Sequence, residues 1–244
     1  MPPAFRLLTA NLLSERCDVS AFDALVTRFS PDVVVIQELA HEAAEMLESH
    51  FPRHHYFPSV DLTGRGIFTR FDAEFGDLDM PRRSGSWARL EVGDRSLWVA
   101  GVHFLNPINF PWWVSARARR HQLEALFEWM DPVSGPLAVA GDFNASPAWP
   151  VYKAMAGRLR DVIAAHAESR GEKPERTWGW RPGWPRMLRI DHVFARGLAA
   201  TAVFVEPVEG SDHFALIADL ELTGDGQTPA TGSHEAASGA RRRP

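Results

Sequence analysis

Lysine, cysteine and long apolar runs are scarce in this sequence, and each shortage excludes a class of protein. Only two of the 26 basic residues are lysines and the formal net charge is -5, so we expect no general polyanion-binding surface. The single cysteine, Cys17, excludes an intrachain disulfide. No apolar run reaches the ~18 residues of a membrane-spanning helix, and the first residues lack a secretory signal pattern. We therefore expect a soluble protein, cytoplasmic by default.

Length and composition predict one domain followed by a tail. The 244 residues, with 45% hydrophobic content, are enough to bury a full core, and layered α/β domains of this length often stay undivided. From Thr223 onward Gly, Thr, Ser, Pro and Ala dominate, and the chain ends in three arginines and a proline. We therefore predict a catalytic domain at residues 1–222 and a disordered tail at residues 223–244.

Short apolar runs separated by turn signals predict many strands. Several of the runs are too apolar for a sheet that is covered on one face only. The predicted strands are Phe5–Leu8, Val33–Ile36, Ile67–Thr69, Trp87–Val92, Leu97–Val102, Leu137–Ala140, Ile190–Phe194, Ala202–Val205 and Phe214–Leu220.

Helical patterns are fewer than strand patterns. One predicted helix is capped by Ser20 and ends before Pro31, a second covers Glu42–Ser49, and the longest covers Val114–Met130 with Arg119 among the arginines on its polar side. Many strands with few helices predict an α+β fold. We expect a four-layer α/β sandwich, in which helices flank two packed, mainly antiparallel sheets.

Polar groups stand at the ends of the apolar runs, where a fold can hold them rigidly and open to water. These groups are Asn11, Gln37-Glu38, His103 with Asn106, Asp142-Phe143-Asn144, and Asp191 followed by Asp212-His213. Carboxylates, amides and imidazoles in series are suited to metal-assisted attack on phosphorus. The series therefore predicts an active site.

Glu38 follows a buried strand and is the first candidate metal ligand. A carboxylate at the edge of a core must be paired, protonated or bound to a cation, and hard cations such as Mg²⁺ prefer oxygen ligands. The amide of Asn11, at the end of the first strand, is its predicted neighbour. Each residue alone has an ordinary alternative, a solvated strand end for Glu38 and a turn for Asn11.

Asp142 and Asn144 form the most specific local pattern. The strand before them runs into Gly141, which permits a tight exit. If the extended geometry persists, both side chains point the same way and can hold and orient a water molecule. A simple Asx-turn explains the same pair, and that alternative stays open.

Two histidines each have a second polar group beside them in the sequence. His103 and Asn106 lie at a strand exit, and His213 follows Asp212 where the last strand begins. Asp191 lies in an otherwise buried strand, where an unpaired charge is costly. We pair Asp191 with His213, because a buried carboxylate fixes the tautomer of an imidazole and favours its charged form.

The order of these motifs resembles the endonuclease/exonuclease/phosphatase superfamily. That superfamily includes pancreatic deoxyribonuclease, the abasic-site endonucleases, sphingomyelinases and the inositol polyphosphate 5-phosphatases. The resemblance spans Leu7 to about Leu220. The segment from Gly64 to Arg70 also looks like the glycine-led strand of the family, with Thr69 in place of the usual serine.

The resemblance implies a metal centre and an activated water. Glu38 looks like the principal Mg²⁺ or Mn²⁺ ligand, with Asn11 and Asp212 in or next to the metal shell. Asp142 and Asn144 are similar to the pair that positions the attacking water.

The resemblance also implies groups that contact the phosphate. His213 looks like the imidazole at the scissile phosphate, oriented by Asp191. His103 falls where deoxyribonuclease-like members have a second histidine, and Asn106 matches a phosphate-contacting asparagine of the abasic endonucleases.

Aromatic residues in two loops adjoin the motifs and are candidates for substrate binding. They are Phe110, Trp112 and Trp113 after His103, and Trp178, Trp180 and Trp184 before Asp191. Trp178 is similar in position to an aromatic that lines the pocket of the abasic endonucleases. With Trp112 and Arg189 it makes the predicted substrate-binding set. Exposed indoles stack on unpaired bases, lie at a lipid interface or close the core, and these alternatives stay open.

Three functions are compatible with the sequence. The favoured one is a metal-dependent phosphodiesterase that acts on DNA or RNA, as an endonuclease or exonuclease, by in-line attack of an activated water. The second is a phosphatase or lipid phosphodiesterase acting on a phosphoinositide, sphingomyelin or a small phosphate ester. The third, a binding protein with a dead site, is disfavoured because every catalytic position is filled. No obligate protein partner is implied.

Overall fold

The computed structural model describes residues 4–108 and 111–223. The tail predicted at residues 223–244 lies outside these ranges except for Thr223, and so does Phe110 of the first aromatic loop. The strands are β1 (Ala4–Asn11), β2 (Val33–Gln37), β3 (Arg53–Phe57), β4 (Arg65–Thr69), β5 (Asp72–Leu78), β6 (Gly85–Val92), β7 (Arg95–His103), β8 (Leu137–Asp142), β9 (Arg160–Asp161), β10 (Asp191–Arg196), β11 (Leu198–Pro207) and β12 (Phe214–Leu222). The α-helices are α1 (Val19–Phe29), α2 (His41–His50), α3 (Trp112–Met130), α4 (Pro150–Ala156) and α5 (Val162–Ser169).

The strands form two six-stranded sheets. The first sheet has the order β11-β12-β1-β2-β4-β3 and the second β5-β6-β7-β8-β10-β9. In each sheet one central pair is parallel, β1 with β2 and β7 with β8, and the other described ladders are antiparallel. The predicted fold of two packed, mainly antiparallel sheets is therefore confirmed.

The main core lies between the two sheets. It joins Val35 and Ile67 of the first sheet to Val99, Ala140 and Val193 of the second. A second core packs α1 and α2 against the first sheet, and a third packs α3 and α4 against the second. The central strands are thus covered on both faces, which explains why their sequences are apolar without alternation.

All nine predicted strands are present, and the structure adds β3, β5 and β9. β3 and β5 were missed because neither is an apolar run. β3 reads Arg-His-His-Tyr-Phe and is half-exposed, and β5 carries exposed acids along the edge of its sheet. The helices α4 and α5 were also missed, and α5 begins at a cap in which Asp161 accepts a hydrogen bond from the backbone of Ala164.

Two details of the predicted helices are wrong. α1 begins at Val19, because the carboxylate of Asp18 rather than Ser20 caps it by accepting from the backbone N–H of Ala21 at 3.0 Å. Arg119 on α3 is buried rather than exposed, since its guanidinium donates to the carbonyl of Phe143 at 3.3 Å and to another backbone carbonyl.

Cys17 is buried in the core beneath α1. Burial raises the pKa of its thiol to about 12, so the reactive thiolate is absent near neutral pH. No helix within residues 4–108 or 111–223 is long and apolar enough to cross a membrane.

Candidate active site

The strand topology brings the predicted polar groups to one edge of the sandwich. In each sheet the two central strands are parallel, so their carboxyl ends meet at the same edge, and an antiparallel neighbour begins there. The first sheet thus presents Asn11, Glu38, Asp212 and His213 at this edge, and the second presents His103, Asp142 and Asp191. Groups that are far apart in sequence become neighbours.

Strand register sets three of these groups side by side. Asp142 at the end of β8 is paired with His103 of β7 on one side and with Asp191 of β10 on the other. All three side chains are buried. The second sheet therefore presents a row of acid, acid and imidazole.

Hydrogen bonds join the row to the first sheet. Asn11 Nδ2 donates to Asp142 Oδ2 at 3.3 Å. His213 Nδ1 lies 3.1 Å from both carboxylate oxygens of Asp191, and its Nε2 lies 3.8 Å from Asp142 Oδ2. His213 is therefore held between two carboxylates, in the pairing with Asp191 that the sequence predicted.

The pKa values of the two histidines of the site are shifted in opposite directions. Burial alone lowers the pKa of His213, but the charges of Asp191 and Asp142 raise it to about 10, so His213 is an imidazolium near neutral pH. Burial lowers the pKa of His103 well below its usual value, and the nearby Arg83 lowers it further, so His103 is neutral. The cleft thus holds one cationic and one neutral imidazole.

Like that of Asp191, the carboxylate of Asp142 is buried between the two sheets. Burial raises its pKa, and the charges of Asp191 and Glu38 add to that effect while His213 opposes it. His103 Nε2 lies 3.4 Å from Asp142 Oδ2 and 3.7 Å from Glu38 Oε1. A carboxylate with a raised pKa among several donors is suited to accepting a proton.

Asp142 and Asn144 meet through a turn rather than through strand alternation. Asn144 has a left-handed backbone, with φ of 47°, and its N–H donates to Asp142 Oδ1 at 2.7 Å. Its amide also donates to Asp142 Oδ2 at 2.9 Å and to the Phe104 carbonyl at 3.0 Å. The Asx-turn alternative thus describes the local backbone, and the same turn fixes the amide beside the carboxylate.

Gly141 is required by close strand packing. A Cβ at this position would lie 2.0 Å from the carbonyl oxygen of Val102 on β7, and its φ of 141° is unfavourable for other residues. Only glycine lets β7 approach β8 closely enough to bring His103 beside Asp142.

Two buried carboxylate oxygens at the cleft have no hydrogen-bond partner in the described chain. They are Glu38 Oε2 and Asp212 Oδ1. The other oxygen of Asp212 accepts from the indole N–H of Trp178 at 3.0 Å. Burial raises the pKa of Glu38, and this effect outweighs the opposing hydrogen bond of Asn11 and the charges of His213 and Arg83. Orphaned anionic oxygens of this kind fit a hard divalent cation, and both residues belong to the metal-binding set that the sequence predicted.

A second group of side chains also has the spacing of a metal site. Ligand atoms of Asp142, Asp191 and His213 all lie within 4.8 Å of one another. The site therefore contains a buried cluster of acidic and histidine groups able to hold a metal. Asp142 Oδ2 and His213 Nδ1 already have hydrogen-bond partners in the protein, whereas Glu38 Oε2 and Asp212 Oδ1 have none among the described residues, which favours Glu38 and Asp212 for that role.

The gathered residues line a cleft of about 310 Å³. Its floor holds Glu38, His103, Asp142, Asp212 and His213, and its lining includes Asn106, Asn144 and Trp178. Asn106 accepts a hydrogen bond from the backbone of Ile108 at 2.9 Å, which fixes the loop after β7. Asn11 and Asp191 lie behind this surface, bonded to Asp142 and His213 respectively.

Two predicted substrate-binding residues do not line the cleft. Trp112 is 74% exposed on the first turn of α3 and contacts the ring of Trp113. Arg189 is buried, and its guanidinium donates to Asp161 at 2.6 Å. The prediction of Arg189 as a substrate-binding residue is therefore wrong, because its charge is already neutralised by Asp161 inside the protein.

Several residues in or behind the cleft lie outside the predicted catalytic, metal-binding and substrate-binding sets, although Trp180 was among the candidate aromatic residues. Arg83 reaches the cleft, donates to the Leu62 carbonyl and lies 3.4 Å from His103 Nδ1. Trp180 also lines the cleft, as does Trp149. Thr177 is buried behind it, and its hydroxyl accepts from the backbone N–H of Asp191 at 3.1 Å. The loops of this sequence contain many aromatic and arginine residues, and no local pattern shows which of them reach the cleft.

The chain belongs to the Endonuclease/Exonuclease/phosphatase family, whose family model matches residues 8–213. Membership implies metal-dependent phosphodiesterase or nuclease-type chemistry with a divalent cation, and the resemblance noted in the sequence is confirmed.

Individual relatives are distant. A UPF0294 protein of Vibrio parahaemolyticus is 33% identical over 136 residues, which are 55% of this chain and 43% of that protein, so the chain spans less than half the length of this curated relative. The human Nocturnin catalytic domain, solved with a bound sulfate anion, is 21% identical with a TM-score of 0.69, over 91% of this chain and 96% of that one. TDP2 of D. rerio, solved with a single strand DNA product, is 17% identical with a TM-score of 0.68, over 89% of this chain and 99% of that one. The two structures share the fold of this chain.

Proposed function

We propose that this chain hydrolyses phosphodiester bonds of nucleic acid with the help of Mg²⁺ or Mn²⁺. One observation carries the proposal. A single cleft holds two carboxylate oxygens without partners, on Glu38 and Asp212, together with the charged imidazole of His213. This combination suits a phosphodiester, which brings negative charge to the site and gains more of it in the transition state.

Glu38 and Asp212 are the residues that would hold the cation, with Asn11 behind them. A bound divalent cation stabilises charge on the phosphoryl oxygens. Glu38 is well placed for this role because its buried oxygen has no other partner within the described ranges. Asp212 is oriented by the indole of Trp178, so its free oxygen keeps a fixed direction.

Asp142 and Asn144 are proposed to orient the attacking water, and Asp142 to accept its proton. The raised pKa of Asp142 brings this carboxyl closer to the operating pH than an ordinary aspartate. The amide of Asn144 donates to Asp142 Oδ2 at 2.9 Å and so fixes the orientation of the carboxylate. No protein nucleophile is needed for in-line attack by water.

His213 is proposed to stabilise the charge that grows on the phosphate. Its imidazolium is held by Asp191 at 3.1 Å, so little reorganisation is needed as the reaction proceeds. His103 and Asn106 line the same cleft and are proposed to contact the phosphate as neutral donors.

A substrate panel tests the proposal. Supercoiled and linear DNA, single strands, RNA, phosphoinositide and sphingomyelin vesicles and bis(4-nitrophenyl) phosphate are each incubated with Mg²⁺ or Mn²⁺, with and without chelator. We expect chelator-sensitive cleavage of at least one nucleic acid. Hydrolysis of the small diester or of a lipid, with every nucleic acid left intact, would overturn the nucleic-acid assignment while leaving the metal-dependent chemistry standing.

A matched pair of variants tests the site itself. Asp142→Asn is expected to lower kcat by about 10²–10⁴, the usual contribution of a general base. Asp131→Asn, at an exposed aspartate just beyond α3, is the control and is expected to leave kcat unchanged. Equal activity of the two variants would reject Asp142 as the base.

A further inference from the structure

Four exposed large apolar side chains line the active-site cleft, and we call them the apolar rim. They are Leu62, Ile108, Trp180 and Leu188, with exposed fractions of 39%, 70%, 54% and 36%. They come from three separate loops, after β3, after β7 and before β10. Large apolar groups left in water around a polar floor mark a surface that binds something.

Trp180 stands next to the proposed metal-binding acids. Its ring contacts that of Trp178 edge to face, with centroids 5.9 Å apart. The indole N–H of Trp178 donates in turn to Asp212 at 3.0 Å. A phosphate on the floor of the cleft therefore has the ring of Trp180 within reach of the group attached to it.

The arginines near this aromatic segment are largely engaged by other groups. Arg181 lies over the ring of Trp184 at 5.8 Å, Arg186 pairs with Glu175, and Arg189 is buried against Asp161. The net charge of the chain is also negative, at -5. Double-stranded nucleic acid offers mainly phosphates to a protein surface and is bound chiefly through Lys and Arg. Among the described residues that line the cleft, Arg83 is the only arginine, and a single arginine is few for binding the many phosphates of a duplex.

We propose that the apolar rim selects an unpaired nucleic-acid strand, with Trp180 stacking on the base next to the scissile phosphate. The inference rests on the proposed function and names its substrate class. An unpaired base exposes a π face to an indole, whereas a base in a duplex is stacked and hidden. The rim surrounds a concave site of about 310 Å³, near the lower end of the ~300–1,000 Å³ range of small-ligand sites, so it suits one inserted ring.

The test compares one oligonucleotide sequence in two forms. A labelled 20-nucleotide DNA is offered as a single strand and as a blunt duplex, and kcat and KM are measured with Mg²⁺ or Mn²⁺. The variants are Trp180→Ala, Trp180→Phe and the matched control Trp113→Ala. Trp113 is similarly exposed, at 60%, but does not line the cleft.

The single strand is expected to be cut with the higher kcat/KM. Trp180→Ala is expected to raise KM for the single strand by about 5- to 150-fold, the range that corresponds to losing one base–aromatic stack. Its kcat should change little, because stacking is equal in the ground state and the transition state. Trp180→Phe should retain most of the affinity, and Trp113→Ala all of it. Between 50 and 200 mM salt the single-strand KM is expected to rise less than ~10-fold, below the ~10³–10⁵-fold loss of a protein with many phosphate contacts.

Each other outcome overturns a distinct claim. If the single strand and the duplex are cut with equal kcat/KM, and Trp180→Ala changes KM for neither, the inference is rejected and the proposed function still stands. A rise in KM in Trp113→Ala as large as that in Trp180→Ala would also reject the inference, because the effect would then not be specific to the apolar rim. Co-sedimentation with phosphatidylcholine vesicles that depends on Trp180, without any strand preference, would reassign the rim to a lipid surface. Loss of all nucleic-acid cleavage with bis(4-nitrophenyl) phosphate still hydrolysed would instead reject the nucleic-acid substrate itself.

Discussion

Removing the charge of Glu38 should stabilise the metal-free protein and abolish its response to metal. The side chain is only 7% exposed and its Oε2 has no partner in the described chain. Burial raises the pKa of this carboxyl, which means that the folded protein disfavours its charged form. Glu38→Gln keeps the shape of the side chain and removes the charge, so it separates the two effects.

The magnitudes follow from the burial of the Glu38 carboxylate. A buried polar group without a partner costs about 1–3 kcal/mol, and a neutral amide at the same place keeps part of that cost. We therefore expect the metal-free variant to be more stable by roughly 1 kcal/mol, or about 2–4 °C in Tm for a chain of this size. Metal at one hundred times its Kd should stabilise the natural protein by about 2.7 kcal/mol. In Glu38→Gln that gain should largely disappear.

Thermal unfolding followed by circular dichroism, in chelator and across a Mg²⁺ titration, measures both effects. Glu42→Gln on α2 is the matched control, because Glu42 is exposed and outside the cleft. Its Tm should follow that of the natural protein at every metal concentration. A lower metal-free Tm in Glu38→Gln would refute the argument from burial of the charge. An undiminished shift with Mg²⁺ would refute the assignment of Glu38 as a ligand.

Three further predictions concern other parts of the molecule. His213→Gln should lower kcat by about 10²–10³ with metal affinity by calorimetry unchanged, and an equal loss of metal binding would show that the imidazole acts on the metal instead. Asp161→Asn should cost about 3–5 kcal/mol of unfolding free energy at pH 7, because it leaves the buried charge of Arg189 unpaired. Because the pKa of Asp161 is lowered in the folded protein, its carboxylate stabilises the fold above pH ~4, and this stabilisation is lost as the pH falls through the folded-state pKa. The unfolding free energies of the natural protein and Asp161→Asn, measured by denaturant titration, should therefore converge in acid. A difference that stays constant with pH would contradict this. Arg83→Ala should raise KM for any phosphodiester by about 10- to 100-fold, as expected for a lost hydrogen bond to a charged group. Arg82→Ala, beside it but outside the cleft lining, should not.

The individual residues of the site can be predicted from the sequence because each one interrupts or ends an apolar run. Glu38 follows five buried strand residues, and Asp142 closes a strand that is buried throughout. The same logic fails where strands are not apolar, as in β3 and β5 at the sheet edges. Apolar runs therefore predict the centre of this fold well and its edges poorly.

The contacts between these residues cannot be predicted from the sequence. Asn11 donates to Asp142 across 131 residues, a contact that exists only because two sheets pack face to face. Arg189 has no local sign that Asp161, 28 residues earlier, will neutralise it inside the protein. Asn144 adopts a left-handed backbone that strand alternation does not predict. In each case tertiary packing decides what the local pattern leaves open.

Gly101 shows what it takes to assemble the two halves of this site. A Cβ there would lie 2.7 Å from Val35 Cγ1 on the other sheet, two residues before His103 on one strand and three before Glu38 on the other. One methyl group at Gly101 would act as a wedge under the reacting groups without touching any of them. Because productive geometry tolerates errors of only ~0.5 Å, we expect such a displacement to lower turnover. The distance between the two sheets therefore helps to set the geometry of the active site. A substitution in the buried core can then reduce activity without changing any residue of the site.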